Sequence, residues 1–179
     1  MNVLELEKAS KELEALMEKY IIRKAHLDDL EQISDLEQIC FPKSEAATKH
    51  ALKKRLEKYP DCFFVLTVSE KIVSMVNGMV TDEPDLYDEM YSDESLHNAN
   101  GAWQMIFGVD THPEYRNRGF AAAVLNAFID NARKENRKGL VLTCKESLIC
   151  YYEKFGFVSE GRSGSIHGNA IWYQMRLKF

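Results

Sequence analysis

Arg116, Asn117, Arg118 and Gly119 are the residues whose types and spacing most directly imply chemistry. They follow the apolar run Ala102 to Val109, which reads as a strand, and lead into Phe120 to Arg133, whose spacing reads as an amphipathic helix. A strand, a basic glycine-containing turn and a helix start together make an anion site. The first helical turn leaves amide groups unpaired, the helix dipole adds partial positive charge, and two guanidinium groups add whole charges. The ligand implied carries phosphate. No Gly-Lys-Ser/Thr closes the loop as in a Walker motif, and a single glycine falls short of a Rossmann fingerprint.

Arg116, Gly119 and Ala121 match the pattern Arg/Gln-x-x-Gly-x-Gly/Ala. Cys150-Tyr151-Tyr152-Glu153-Lys154-Phe155-Gly156-Phe157 follows at about the distance one helix and one strand occupy. In this order the two motifs resemble the GNAT superfamily of acetyl-CoA-dependent N-acetyltransferases. Thr143 to Leu148, Cys40-Phe41-Pro42 and Glu45-Ala46-Ala47 look more narrowly like the arylalkylamine N-acetyltransferase branch and its bacterial relatives, a similarity covering roughly residues 20 to 179.

The resemblance implies a GNAT acyl-CoA N-acyltransferase fold, α/β or α+β by scheme. Such a fold has a mixed, mostly antiparallel sheet with a splayed parallel central strand pair, flanked by helices. It further implies that the backbone of Phe107, Gly108 and Val109 pairs with the pantetheine of acetyl-CoA. Asn117, Arg118, Gly119, Phe120, Ala121 and Ala122 would cradle the pyrophosphate, and Arg116 would fix the turn or reach a phosphate. Tyr152 takes the motif position of the family's acid, with a core aromatic as the plainer reading; Tyr151 reads as structural.

The implied reaction is attack by a neutral amine on a thioester carbonyl. Alkyl amines hold their proton to about pH 10.4, so a base or a desolvating pocket must remove it. The departing thiolate needs a proton in turn, and a phenol can give it, with a gain of about 10² to 10⁴ in rate. The base is where the resemblance fails. Trp103 and Met105 occupy the positions of the two histidines of the animal arylalkylamine enzymes, and neither takes a proton. Asp110, His112 and Glu83 are candidates acting through water. Trp103, Met105 and Glu83 are the expected acceptor-pocket residues, with plain core filling as the rival for Trp103. His167, before Gly168, reads as a satisfied turn histidine.

Several elements must position these groups. Leu6, Leu13 and Tyr20 fall seven apart, so residues 3 to 19 read as an amphipathic helix, and the chain divides into that helix, 1–19, and a single domain, 20–179. The helix packs on its own domain or makes a homodimer contact. Leu30, Ile33, Leu36 and Ile39 give a helix over residues 27 to 40, ended by Phe41-Pro42, and a second helix runs from Ser44 or Glu45 to Tyr59. Residues 63–68 and 72–80 read as a hairpin; then come strand 102–110, helix 119–136, strand 140–144, helix 147–155 and a last hairpin over 157–162 and 170–179. Asp82 to Glu94 holds seven acidic residues and no basic one. It is either a solvated loop or an acidic rim that draws in a cationic amine.

A length of 179 residues, 45% hydrophobic, suits one core. The net charge of -5 argues against nucleic acid, which needs a basic face. No apolar run approaches the roughly 18 residues of a membrane span and the first residues lack an apolar signal core, so a cytoplasmic protein is expected. Cys40, Cys62, Cys144 and Cys150 lack metal-ligand spacing, so no metal is expected and the thiols read as reduced. The expected activity is therefore acetyl transfer from acetyl-CoA to a primary amine in a ternary complex, with a small arylalkylamine or polyamine as acceptor. A protein or peptide amine as acceptor is the second reading, and a non-catalytic acyl-CoA-binding module the third.

Overall fold

The computed structural model describes residues 19–179, so the expected first helix lies almost wholly outside the described residues. Two sheets share the chain. The first has strand order β1-β2-β3-β6, with β1 (Tyr20–Lys24), β2 (Phe63–Val68), β3 (Lys71–Asn77) and β6 (Gly108–Thr111). The second has order β4-β5-β7-β9-β8, with β4 (Val80–Thr81), β5 (Trp103–Ile106), β7 (Gly139–Cys144), β8 (Val158–Arg162) and β9 (Tyr173–Lys178). All pairings are antiparallel except β5 with β7.

β2 is buried along its whole length because helices cover both faces. Its alternate residues sort to opposite sides. Phe64 and Leu66 join Val124, Leu125, Phe128 and Ala132 of α3 (Phe120–Lys134), together with Leu140, Leu142 and Met175 of the second sheet. Phe63 and Val65 meet Ile33 and Leu36 of α1 (Leu30–Cys40) and Leu52 and Leu56 of α2 (Lys49–Lys58). Each such side chain, fully buried, contributes roughly 1.5–3 kcal/mol.

The structure departs from expectation at three helices and two strands, the one foreseen over 72–80 being split into β3 and β4 in different sheets. α2 begins at Lys49 rather than near Ser44, because the amides of Glu45 and Ala46 turn back onto the Pro42 carbonyl and Thr48 caps the helix, its hydroxyl accepting from the Ala51 amide. α4 is short, Ile149–Glu153, and enters through a tighter turn at Glu146–Leu148. In α1, Ile39 is half exposed while Glu37 is buried. The strand foreseen over 102–110 is two strands in different sheets. Asn77 pairs with Gly108 but Val80 with Gln104, so Gly78 and Met79 face three residues, Met105 to Phe107. The close approach needs Gly78, since a Cβ there would lie 1.7 Å from the Met105 carbonyl oxygen.

Candidate active site

That bulge makes the site. β5 and β7 run parallel as far as Ile106 opposite Leu142. Beyond it, β6 pairs only with β3 and the end of β7 only with β9, so the two strands part. A cavity of about 500 Å³ opens between them, with Ile106 and Leu142 at the fork, Phe107, Gly108 and Val109 on one side and Thr143, Cys144 and Lys145 on the other.

Three segments from elsewhere complete its walls. The α1–α2 joint brings Glu37, Phe41, Pro42 and Ala47. Tyr91, from the loop after β4, reaches across the gap: its ring centroid is 5.1 Å from that of Phe107, and its hydroxyl is 3.2 Å from the Thr143 hydroxyl. The last hairpin brings His167 and Trp172. His167 Nε2 lies 2.9 Å from the Glu45 carbonyl oxygen, and its ring tilts against Tyr91. Lys145 bridges to Glu45 at 2.6 Å, which ties β7 to the joint.

Tyr152 lines the cavity from α4, and its hydroxyl has no partner among the described residues. Burial pushes the phenol well above its ordinary range, with Cys144 adding to the effect, so it stays protonated at neutral pH. Burial likewise holds the thiols of Cys40 and Cys144, both on the wall, up at about 11, which leaves neither a thiolate nucleophile. Cys150 is exposed.

The basic turn lies outside the cavity, past the end of β6. Asn117 and Gly119 both take positive φ, 62° and 78°, which folds the chain sharply into α3. Gly119 caps that helix with no side-chain oxygen. The first intrahelical bond there runs from the Ala123 amide to the Gly119 carbonyl, so the amides of Phe120, Ala121 and Ala122 are left for an outside acceptor. Arg116 donates through Nε to the Thr111 carbonyl at 3.1 Å and so ties the turn to the strand. Arg118 donates to the Glu114 carbonyl and stacks over Tyr115.

The expected acceptor residues fall elsewhere. Met105 is wholly buried, because Leu86 and Met90 of the loop after β4 cover its face of the strand. Trp103 shares that face and lies under the Arg176 guanidinium at 4.7 Å. Glu83 is exposed, and His112 caps the turn at Glu114; neither lines the cavity. The acidic loop is mostly tied down. Asp82 accepts from Asn98 and the Ala102 amide, Asp85 from Arg176 and Gln174, Asp88 from the Ile166 amide, Asp93 from the Ser95 amide, and Glu94 from Lys54. Asp82, Glu83, Asp85, Glu89 and Asp93 are nonetheless exposed, so the loop is both hydrogen-bonded and open to solvent.

Beneath the wall formed by Glu37 and Phe107 lies a charged cluster the motifs do not mark. Arg55, fully enclosed, donates to the Asn77 side chain and the Tyr91 carbonyl, both at 2.9 Å, and stacks over Phe107. Glu37 and Asp110 are buried beside it. One signal exists in the sequence: Glu37 falls four residues from Ile33, and Arg55 three from Leu52, so each is a charge on an apolar stripe.

The model of the acetyltransferase (GNAT) family matches residues 30–157. The chain belongs to that family. It is 26% identical over 132 residues to the probable hydrolase YhcX of Bacillus subtilis, covering 69% of this chain and 26% of that protein. It is 25% identical over 114 residues to N-acetyltransferase 8 of Homo sapiens, covering 62% and 44%. The chain thus spans less than half the length of these curated relatives. Among solved structures, the loading GNATL domain of CurA from Lyngbya majuscula superposes with a TM-score of 0.80 at 17% identity, covering 89% of this chain and 98% of that one. The GNAT fold is the common ground. Among the described residues no helix is long and apolar enough to cross a membrane, and no group of three or more His, Cys, Asp or Glu could hold a metal ion.

Proposed function

We propose that this chain transfers the acetyl group of acetyl-CoA to a primary amine, in a ternary complex of both substrates. The observation that carries the reading is the fork between β5–β6 and β7, with the Tyr152 hydroxyl on its wall and a helix start of unpaired amides beyond its end. The strand edge at Phe107 to Val109 is suited to pairing with pantetheine amides as an added strand would. The amides of Phe120 to Ala122, with Asn117, Gly119 and the two arginines around them, suit a pyrophosphate. Tyr152 then gives its proton to the departing sulfur.

The acceptor we assign is a small amine, as in the arylalkylamine branch that the sequence resembles. Tyr91, joined to both sides of the gap, narrows the acceptor side against a protein segment, and Phe41, Phe107 and Trp172 offer aromatic walls. Thiol release from acetyl-CoA across a panel of arylalkylamines, polyamines and peptides with free N-termini tests this. Saturable release with one of the small amines is expected. Release with peptides alone would move the acceptor to protein, and none with any amine would leave only binding.

A further inference from the structure

The reaction proposed above leaves the acceptor's proton without a destination, and the cluster under the cavity supplies one. Glu37 comes from α1, Asp110 from β6, Arg55 from α2 and Asn77 from β3. Glu37 lines the cavity, and its Oε1 accepts the Ala47 amide at 2.8 Å. Its other carboxyl oxygen, and both of Asp110, are buried with no donor among the described residues. The helix that carries Glu37 is tied to β6 where Cys40 Sγ donates to the Thr111 carbonyl at 3.4 Å, next to Asp110, and each carboxyl shifts the titration of the other. As two anions they repel and leave three acceptors unmet; one proton held between them removes the repulsion and engages two of the three oxygens.

Asp110 stands behind Glu37, away from the cavity wall. Gly108 precedes it on the same face of β6. A Cβ on Gly108 would lie 3.2 Å from an Asp110 carboxyl oxygen and 3.6 Å from Asn77 Nδ2, so the glycine keeps the layer between the fork and the pair thin.

We infer that Glu37 is the catalytic residue that takes the ammonium proton of the acceptor, with Asp110 as the positioning residue that shares it. The inference rests on the acetyltransfer reading. Arg55 is the cation facing both carboxyls; His167 faces Glu37; Cys40 and Tyr152 face Asp110; Tyr59 and Tyr91 face Arg55. Burial, then the neighbouring carboxyl, pushes Asp110 well above the usual carboxylate range. Burial also pushes Glu37 up, against the opposing pull of the Ala47 amide, Arg55 and the Asp110 hydrogen bond. The pair titrates as a unit, and loss of its last proton creates a base stronger than a lone surface carboxylate.

The step balances. The unprotonated pair takes one proton from the ammonium, directly or through one water, and keeps it between the two carboxyls. The amine lone pair then forms the C–N bond at the thioester carbonyl as the C–S bond breaks, and its electrons leave on sulfur. Tyr152 protonates that sulfur and recovers a proton from the new amide nitrogen. The shared proton goes to solvent when the products leave.

Three measurements on the full chain test the assignment. Glu37→Gln is expected to lower kcat/KM for the amine about 10² to 10⁴-fold and to erase the acid limb of its pH profile, with calorimetric affinity for acetyl-CoA unchanged. Asp110→Asn, remote from the acceptor, is expected to move that limb to lower pH because one carboxyl no longer repels the other. A purely structural role for Asp110 would lower the rate equally at every pH and leave the limb in place. A Glu37→Gln protein that keeps the wild-type rate and limb overturns the inference. Infrared spectra of the unaltered protein decide the matter even if neither variant folds. A protonated carboxyl band is expected to persist above about pH 5, where ordinary carboxyls are ionised, and to vanish in one alkaline step; its absence overturns the shared proton. Failure of the wild type to release thiol with any amine would instead sink the acetyltransfer reading, and the infrared band would still report on the pair.

Discussion

The two sides of the fork are built from different materials. The cofactor side is backbone: a strand edge at Phe107 to Val109, two left-handed residues, and helix amides with small alanines around them. The acceptor side is side chain: Glu37, Arg55, Asn77, Tyr91 and Asp110, brought from four elements and a loop into one buried cluster. The contrast follows the ligands each side would serve. A coenzyme common to a whole family can be held by groups every residue has. An acceptor must be chosen, and choice needs particular side chains.

If so, side-chain replacements should be severe on one side and mild on the other. The largest effect is expected from Arg55→Met. It leaves the buried carboxyl pair without its cation and the Tyr91 carbonyl without its donor, at a cost of about 3–5 kcal/mol in urea unfolding. Tyr152→Phe keeps the ring packing and removes only the hydroxyl. kcat is expected to fall about 10² to 10⁴-fold with acetyl-CoA affinity unchanged in calorimetry. An unchanged kcat at every pH would remove the acid role.

On the cofactor side the expected effects shrink. Gly119→Ala meets no atom within 4 Å, so only the left-handed backbone is strained, by about 1–2 kcal/mol, read as a lowered Tm. Arg116→Ala removes one tether from the turn to Thr111. A hydrogen bond worth about 0.5–1.5 kcal/mol corresponds to roughly a two- to twelvefold weaker hold on acetyl-CoA. A loss as deep as that at Arg55 would erase the distinction between the sides.

The Arg23–Asp29 pair, remote from both, gives the baseline. Its hydrogen bond to Arg23 holds the Asp29 carboxyl below its ordinary value, so the pair's contribution is present above about pH 3.9 and is lost as pH falls through the lower folded value. Asp29→Asn is expected to remove that acid sensitivity at a cost near or below about 1 kcal/mol.

The same contrast decides how much was legible in the sequence. Arg116 to Ala121 is a contiguous string whose turn and helix can be read from local rules, and β7 and α3 follow from their apolar periodicity within a residue or two. The break at Phe107 could not be read that way. It comes from a register shift against a strand distant in sequence, set by the approach of Gly78 to Met105. Asp110 stands among the base candidates in the sequence, but Glu37 and Arg55 carry only the signal of a charge on an apolar stripe, because their meaning depends on elements that meet only in the folded chain. Resemblance of position places Trp103 and Met105 at the acceptor, but the bulge leaves only Phe107 of their strand face on the wall of the cavity, and loop residues Leu86 and Met90 pack over the rest. The seven acidic residues read either as a solvated loop or as an acidic rim; five of them accept hydrogen bonds that hold the loop, which local sequence does not reveal.

Amide hydrogen exchange of the full chain, with and without saturating acetyl-CoA, tests the central claim most directly. Slowed exchange is expected at Val109 and its neighbours along β6 and at residues 117 to 122, with little change along β1 and β8. Exchange at both segments that is indifferent to the ligand would contradict the binding of a CoA thioester in the fork.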